Sequence, residues 1–559
     1  MSKTVRIMAL LLALSLLVLA GCSNKTDNQQ TGTQQTGTQP STSSGSTGST
    51  QGTTDTSADS NFNPEGYPIV NEKVSFSVLI ENSDYHPSDM NEIPVVAKAE
   101  EITNVHINWI MPGSAGFNEK KSLMLASGDY PDMILHGCTD LEIAKYGSQG
   151  VFIPQQDLIE KYTVNLKRIY EENPKVKTFI TAPDGNIYST PRINEGPWMR
   201  QSGVGVINIK WLENLGLSMP TNIDEFYEVM LAFKNNDPDQ NGQNDTIPIT
   251  FQGASINHWS AFCYLFGSFG FSANTSHRDL IDGKVVLTAA LDEWREAIMY
   301  VSKLYADGLI DPEGFTQTYP QFQAKISAEP FKVGYAGVWD LSTFTTQNAR
   351  EDYDFVPPLK GPNGRNPVMN NSLLPGHDRS GVVITIACKL PHVAIRWIDY
   401  IYDTKNSMEW IEGEFDVRLQ KQPEGYYIVA PPPEGMSVSQ WRNANCPGES
   451  GSWAVFEKEY RETLRLPLTD RKVKFMDENT LQYFRENPCP PLFYTPEESE
   501  AMSQLDTDIL AFVERKTAEW IVNGKAEEEW DSYLKELNKM GLQEWLKINQ
   551  TAYERYISN

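Results

Sequence analysis

The feature that most constrains this chain is its first 22 residues. Lys3 and Arg6 supply positive charge, an apolar run from Ile7 to Ala20 follows with only Ser15 interrupting it, and the run stops at Leu19-Ala20-Gly21-Cys22. A basic start, a short apolar core and small residues at its end make a secretory signal over residues 1–21. The core falls short of the ~20 residues that a membrane-spanning helix needs. The Leu-Ala-Gly-Cys stop resembles the bacterial lipobox, in which the cysteine becomes the first mature residue and carries a diacylglyceryl thioether. Cys22 is therefore expected to hold a palmitate-type lipid anchor at the outer face of the cell membrane. No later stretch approaches ~18 continuous apolar residues, so no further span is predicted.

Residues 22–66 read as a lipid-anchored, low-complexity linker. Ser, Thr, Gly, Gln and Asn dominate from Ser23 to Phe62, with repeats such as Gln29-Gln30-Thr31-Gly32-Thr33. Such a stretch has too little apolar surface to offset the entropy of ordering. As a random coil it reaches ~35 Å, enough to hold the folded part off the membrane. That folded part is roughly 500 residues, more than one core accommodates, so two lobes are expected.

The formal charge is −26 and becomes more negative when Lys3 and Arg6 are removed. A polyphosphate partner is repelled, which excludes nucleic acid. Beyond Cys22, the five cysteines Cys138, Cys263, Cys388, Cys446 and Cys489 are widely spaced. They match neither a disulfide framework nor a metal site, and read as incidental or buried thiols.

Val74, Phe76, Val78 and Ile80 alternate with polar residues, as in a strand. A helix is expected over 88–103, alternation resumes at Val105, Ile107 and Trp109, another helix ends at Gly128, and Met133-Ile134-Leu135 is a short apolar strand. This alternation predicts a parallel sheet with right-handed crossovers. Ligands of such sheets sit beyond the carboxyl ends of the strands, here the loops 81–87 and 136–140. Further helices are expected from Thr221, where Thr221 and Asp224 have capping-box spacing, to Phe233, over 291–307 before Gly308, and from Pro391. Residues 381–388 form a β-branched run, and the chain from about Glu497 is helical with breaks near Gly524 and Gly541. The fold class is α/β with a helical C-terminal region.

Several stretches, taken in order, resemble the family 1 extracellular solute-binding lipoproteins that serve carbohydrate uptake. They are Leu123-Met124-Leu125-Ala126-Ser127-Gly128-Asp129-Tyr130-Pro131-Asp132, Asp184-Gly185-Asn186-Ile187-Tyr188, the segment 304–313, Pro357-Pro358-Leu359-Lys360-Gly361-Pro362, and Glu528-Glu529-Trp530-Asp531-Ser532-Tyr533-Leu534 before the closing Ala552-Tyr553-Glu554-Arg555-Tyr556. The resemblance implies two α/β lobes of the type II periplasmic-binding-protein kind, joined by hinge strands near 189–194 and 377–382. Residues 67–190 with 381–435 would form lobe I, and 191–380 with 436–559 lobe II. It also implies a monomer that captures an oligosaccharide and docks on the permease subunits of an ABC importer.

The sharpest local motif is Asp237-Pro238-Asp239-Gln240-Asn241-Gly242-Gln243-Asn244-Asp245. Calcium takes six to eight oxygens, and EF-hand loops supply them from positions 1, 3, 5, 7 and 9 with glycine at 6. Here those are Asp237, Asp239, Asn241, the Gln243 carbonyl and Asp245, whereas position 12 is Pro248 instead of glutamate. A structural calcium is expected, and the resemblance adds a loop of this kind known in alginate-binding members.

A sugar site needs aromatic platforms and planar polar groups that bond two hydroxyls at once. Trp198 after the first hinge, Trp259, Trp339 with Asp340, and Trp453 in a Gly/Ser-rich loop are the candidate platforms, and Glu81 at the end of the first strand is a candidate hydroxyl ligand. Trp397 and Trp530 lie on helical apolar faces and read as core. Nucleophile-elbow, Walker, zincin and dinucleotide motifs are all missing from the sequence, so no catalytic residue is assigned. Two alternatives stay open at this level: a cell-surface polysaccharide-degrading enzyme, which needs two carboxylates facing each other, and a sugar sensor or adhesin built on the same fold.

Overall fold

The computed structural model describes residues 60–83, 85–243, 245–252, 262–433, 436 and 438–558. Cys22, Trp259 and nearly all of the predicted linker lie outside the described residues. Along the chain run β1 (Val74–Leu79), α1 (Pro94–Thr103), β2 (Val105–Ile110), α2 (Ser114–Ser127), β3 (Met133–Leu135), β4 (Arg192–Asn194), β5 (Val204–Asn208), α3 (Ile223–Asn235), β6 (Ile247–Thr250), α4 (Asp292–Ala306), β7 (Val333–Val338), β8 (Tyr353–Phe355), β9 (His377–Asp378), β10 (Val382–Ile384), α5 (Pro391–Ile401), β11 (Ala454–Val455), α6 (Pro467–Asn479), α7 (Pro496–Asn523), α8 (Ala526–Lys539) and α9 (Leu542–Ser558), with shorter elements between them.

Three sheets organise these elements. The first has the order β10-β3-β1-β2, with β1 parallel to both β2 and β3 and β10 antiparallel to β3. The second has the order β8-β5-β7-β6, with β6 parallel to β7 and the other pairs antiparallel. The third is short and has the order β9-β4-β11. Its strands β4 and β9 lie in the two stretches where crossings are expected, 189–194 and 377–382, and they pair with each other.

Each large sheet has its own core. Phe76, Val78, Ile107, Met133 and Val382 pack with Ile395, Trp397 and Trp410 around the first. Val206, Ile249, Tyr335 and Val338 pack with Phe226, Trp294 and Ile298 around the second. The C-terminal helices belong to the second core. Trp294 of α4 is fully buried and meets Trp520 of α7 and Trp530 and Tyr533 of α8 at ring centroid distances of 6.1–6.2 Å.

Local differences from the sequence reading have local causes. Helix α1 starts at Pro94, not Ser88, because Ile93 before the proline is held extended and a 3-10 turn capped by Asp89 fills residues 90–92. Asn222, not Thr221, caps α3, accepting from Glu225 N, while Thr221 bonds the Glu225 carboxylate. Of the apolar run 381–388 only Val382–Ile384 is strand. The third strand of this small sheet, β11, lies within the stretch assigned to the second lobe from residue 436. Cys446 and Ala454 pack in the first core, and Trp453, Tyr460 and Leu464 pack on Met408, Ile411 and Leu419. Residues 438–465 therefore side with the first sheet, and the chain joins the second core only from α6 onwards.

Candidate functional site

Beyond the carboxyl end of β1 the chain passes through Glu81, Asn82 and Ser83. Ser83 Oγ accepts a 2.6 Å bond from Asn443 Nδ2, and His86 Nε2 lies 3.2 Å from Pro447 O. Burial lowers the His86 pKa, the Pro447 bond and Glu81 oppose that, and Arg442 reinforces it. Beyond β3, His136 adopts a left-handed backbone (φ 59°) that turns its Nδ1 to within 2.7 Å of Ser380 Oγ. Burial, then the nearby Arg192, lowers its pKa.

Arg192 opens β4. Its guanidinium pairs with Glu449 and lies 4.2 Å from the Trp453 ring centroid. Arg442 bonds the other oxygen of Glu449 at 3.2 Å. Burial raises the Glu449 pKa, but the two arginines outweigh it and hold the carboxyl below its ordinary range. The carboxylate still keeps 59% of its side chain exposed, so the pair faces an open recess. Around it, Asn82 Oδ1, Arg192 Nε, Arg442 Nε and Asn443 Oδ1 are buried polar atoms without a partner among the described residues. Planar forks, a carboxylate and spare amide oxygen together suit a ligand with adjacent hydroxyls.

The second sheet presents its own edge. Trp339 and Asp340 follow β7, and Asp340 is fully buried. One of its oxygens accepts from Ser342 N at 2.7 Å and caps the turn 341–343, while Oδ2 has no partner among the described residues. Lys472 of α6 is also fully buried. Its Nζ donates to Gln201 O at 2.8 Å and sits 4.1 Å from the Trp339 ring centroid. Burial lowers the Lys472 pKa from 10.5 to about 7, against the pull of Asp340.

The structure thus brings Glu81 and Trp453 to one cluster and Trp339 and Asp340 to another. Trp198 stands at a third place. It is half-buried in the 3-10 turn Pro197–Arg200, packs edge-on against Tyr460 (4.9 Å, 69°), and lines a cavity of about 480 Å³. Trp453 corrects an expectation. It is fully buried, because its carbonyl accepts from Ile193 N in the central sheet and draws the ring into the core, where it supports Arg192 and offers no open face. The sequence reading named the loops that hold His86 and His136 but singled out only Glu81. Arg192 lay inside the expected hinge and Glu449 four residues before Trp453, whereas nothing in the local sequence marks Lys472.

The acidic loop bends at left-handed Asp237, Gln240 and Gly242. Asn241 N and Gly242 N donate to the two Asp237 oxygens, and Asn241 Nδ2 lies 2.7 Å from Asp239 and 3.2 Å from Asp245. Burial, then Asp237 and Asp245, raises the Asp239 pKa, and Asp239 Oδ1 is buried without a partner among the described residues. Lys332 pairs with Asp245. The donors are all hard oxygens crowded enough to repel one another, which fits a hard cation. Even so, among the described residues no three His, Cys, Asp or Glu side chains are already arranged to hold a metal.

Residues 86–408 match the sequence model of the bacterial extracellular solute-binding proteins. The chain belongs to that family. This solute-binding protein is 34% identical over 524 residues to the fructooligosaccharide ABC transporter substrate-binding protein FusA of Streptococcus pneumoniae, covering 91% of this chain and 95% of FusA. A structure of FusA in complex with kestose superposes with a TM-score of 0.74 at 33% identity, over 87% of this chain and all of that one. An EF-hand mutant of FusA bound to fructo-nystose superposes equally well, at 0.75. The lipoprotein LipO of Bacillus subtilis is 27% identical over 296 residues, half of this chain and 54% of LipO. The α/β architecture is the two-lobe fold of these binding proteins, and these matches are to binding proteins rather than enzymes. Among the described residues no helix is long and apolar enough to cross a membrane.

The lowered Lys472 pKa has a signed consequence. The unfolded chain binds a proton at this lysine that the folded chain has lost between pH 7 and 10.5, so stability rises with pH across that window. Lys472→Met removes the proton uptake. The variant should gain in melting temperature over the parent most at pH 6 to 7, with the gap closing towards pH 10. A gap that stays constant with pH contradicts the depressed pKa.

Proposed function

We propose that this solute-binding protein captures a neutral oligosaccharide outside the cell and hands it to the permease of an ABC importer. The observation that carries the reading is the Arg192–Glu449–Arg442 cluster, open to solvent at the carboxyl edge of the first sheet. Hydroxyls bridging the exposed carboxylate and the two guanidiniums would bond the donors and acceptors that face the recess. The Trp339 edge belongs to the other core, so a sugar touching both edges favours closure, since only the closed state makes both sets of contacts. Ligand identity follows the relatives: FusA is named for fructooligosaccharides, which makes kestose the first sugar to try. The protein works as a monomer and breaks no bond in its ligand; transport is driven by the importer's ATPase subunits.

Titration calorimetry with kestose should give saturable, stoichiometric binding without turnover. Arg192→Ala removes charge-assisted bonds of ~1.5–3 kcal/mol and should weaken binding by about tenfold or more. No saturable binding to kestose or to any other neutral oligosaccharide overturns the reading.

Calcium is proposed for the acidic loop, held by Asp237, Asp239, Asn241, the Gln243 carbonyl and Asp245; when bound it supplies charge that locks the loop. The EF-hand mutant made in FusA supports the same reading. Chelation with EDTA should lower the melting temperature by a few degrees, and Asp239→Ala should abolish that response. An unaltered melting temperature contradicts an occupied loop.

The anchor is proposed at Cys22, in keeping with a relative named as a lipoprotein. Expressed in a bacterium, the chain should partition with membranes and into the detergent phase, and Cys22→Ala should move it to the medium. Equal partition of both forms contradicts lipidation.

A further inference from the structure

The cavity at Trp198 lies outside the Arg192–Glu449 cluster and is built differently. At about 480 Å³ it falls within the range of small-molecule sites. One wall is aromatic: Trp198 lies against Gly196, where a Cβ would fall 2.4 Å from the indole, and is braced by the edge of Tyr460. Only a glycine at 196 lets the ring sit there.

The other walls carry three cations and three anions, set close to one another. Arg461 lies 3.3 Å from Asp477, Lys474 lies 3.9 Å from Glu478, and Arg465 lies close enough to Asp470 to oppose, without cancelling, the rise that burial gives the Asp470 pKa. With no net charge in the lining, an anionic ligand such as a phosphate or uronate gains nothing by entering. A neutral polyol gains donors and acceptors at every pair. Partly exposed ion pairs are each worth only ~0–1 kcal/mol, so exchanging one for bonds to hydroxyls costs little. An indole beside alternating donors and acceptors suits the apolar C–H face of a sugar ring with hydroxyls at its rim.

The cavity is also tied to the strand that carries the main cluster. The Tyr460 hydroxyl donates to Asn194 Oδ1 at 2.7 Å, on the same β4 that begins with Arg192. Trp198 lies six positions after Arg192, which bounds their Cα separation at ~20 Å, a span that a ligand of several units can bridge.

We propose that this cavity is a subsite for one neutral glycosyl unit, and that Trp198 makes the protein select longer chains. The proposal rests on the oligosaccharide reading above and adds a residue that sets chain length. It is tested by calorimetric titration of the sucrose-based series of two, three and four units against the parent, Trp198→Ala and Asp477→Ala. The parent should bind the four-unit sugar more tightly than the two-unit sugar. Trp198→Ala should lose about threefold to tenfold on the four-unit sugar and less on the two-unit sugar. Asp477→Ala, at a partly exposed position that pairs with Arg461 and with Arg200 of the Trp198 turn, should shift the same way by a smaller factor, with the melting temperature measured alongside. If the parent binds with no dependence on length, or if both variants weaken all three sugars equally, the cavity is not a subsite. If the parent binds none of these sugars or any other neutral oligosaccharide, it is the oligosaccharide reading itself that falls.

Discussion

The rest of the structure depends on three short strands. Arg192–Asn194 is hydrogen-bonded to His377–Asp378 on one side and to Ala454–Val455 on the other, so the two stretches where the chain passes between its cores are joined within one small sheet. Its packing is close. Gly376 takes φ 70° and passes so near Asn194 O that a Cβ would lie 1.9 Å away, and a Cβ on Gly381 would lie 2.3 Å from Thr190 O. The Tyr402 hydroxyl lies within 2.7 Å of Thr190 Oγ1, Pro191 O and Ser452 Oγ, which ties β4 to β11. Motion of one core relative to the other acts on these few residues and on the contacts that Phe493 and α7 make with the first sheet's side, because the cores themselves are packed too tightly to deform.

That economy explains where charge is placed. Arg192 is both a residue of β4 and one of the two cations of the cluster proposed for the ligand, so a bond made there would act directly on that strand. Trp453, in the residue just before β11, supports it from below. On the second sheet, Lys472 sits buried behind Trp339 with Asp340 close by, a charge kept near neutrality by its own burial. The two edges therefore differ in character: the first is open and multiply charged, the second is recessed and close to neutral.

Much of the architecture was legible because its signals are periodic. Alternation in β1 and β2, the glycine stops at Gly128 and Gly308, and the breaks near Gly524 and Gly541 mark elements that local physics alone requires. The missing pieces are those defined by partners distant in sequence. The strand Ala454–Val455 is two residues long and carries no periodicity, and only its pairing with Ile193 and Asn194 defines it. The site divides the same way. Strand order pointed to the loops after β1 and β3, but a loop tryptophan looks the same in sequence whether it faces solvent, as Trp198 partly does, or is buried, as Trp453 is. Lys472 lies on a helix where polar residues outnumber apolar ones, and its burial follows from the packing of residues 197–200 and 341–343 against that helix.

The central claim is that a sugar drawn to the Arg192 cluster closes the two cores about the three-stranded sheet. Small-angle scattering of the folded part, with and without saturating kestose, tests it most directly. The account predicts a smaller radius of gyration with sugar than without, and a reduced change in Arg192→Ala at the same sugar concentration. Saturable binding with an identical scattering curve would contradict it, since a ligand would then be held without the hinge that the structure is built around.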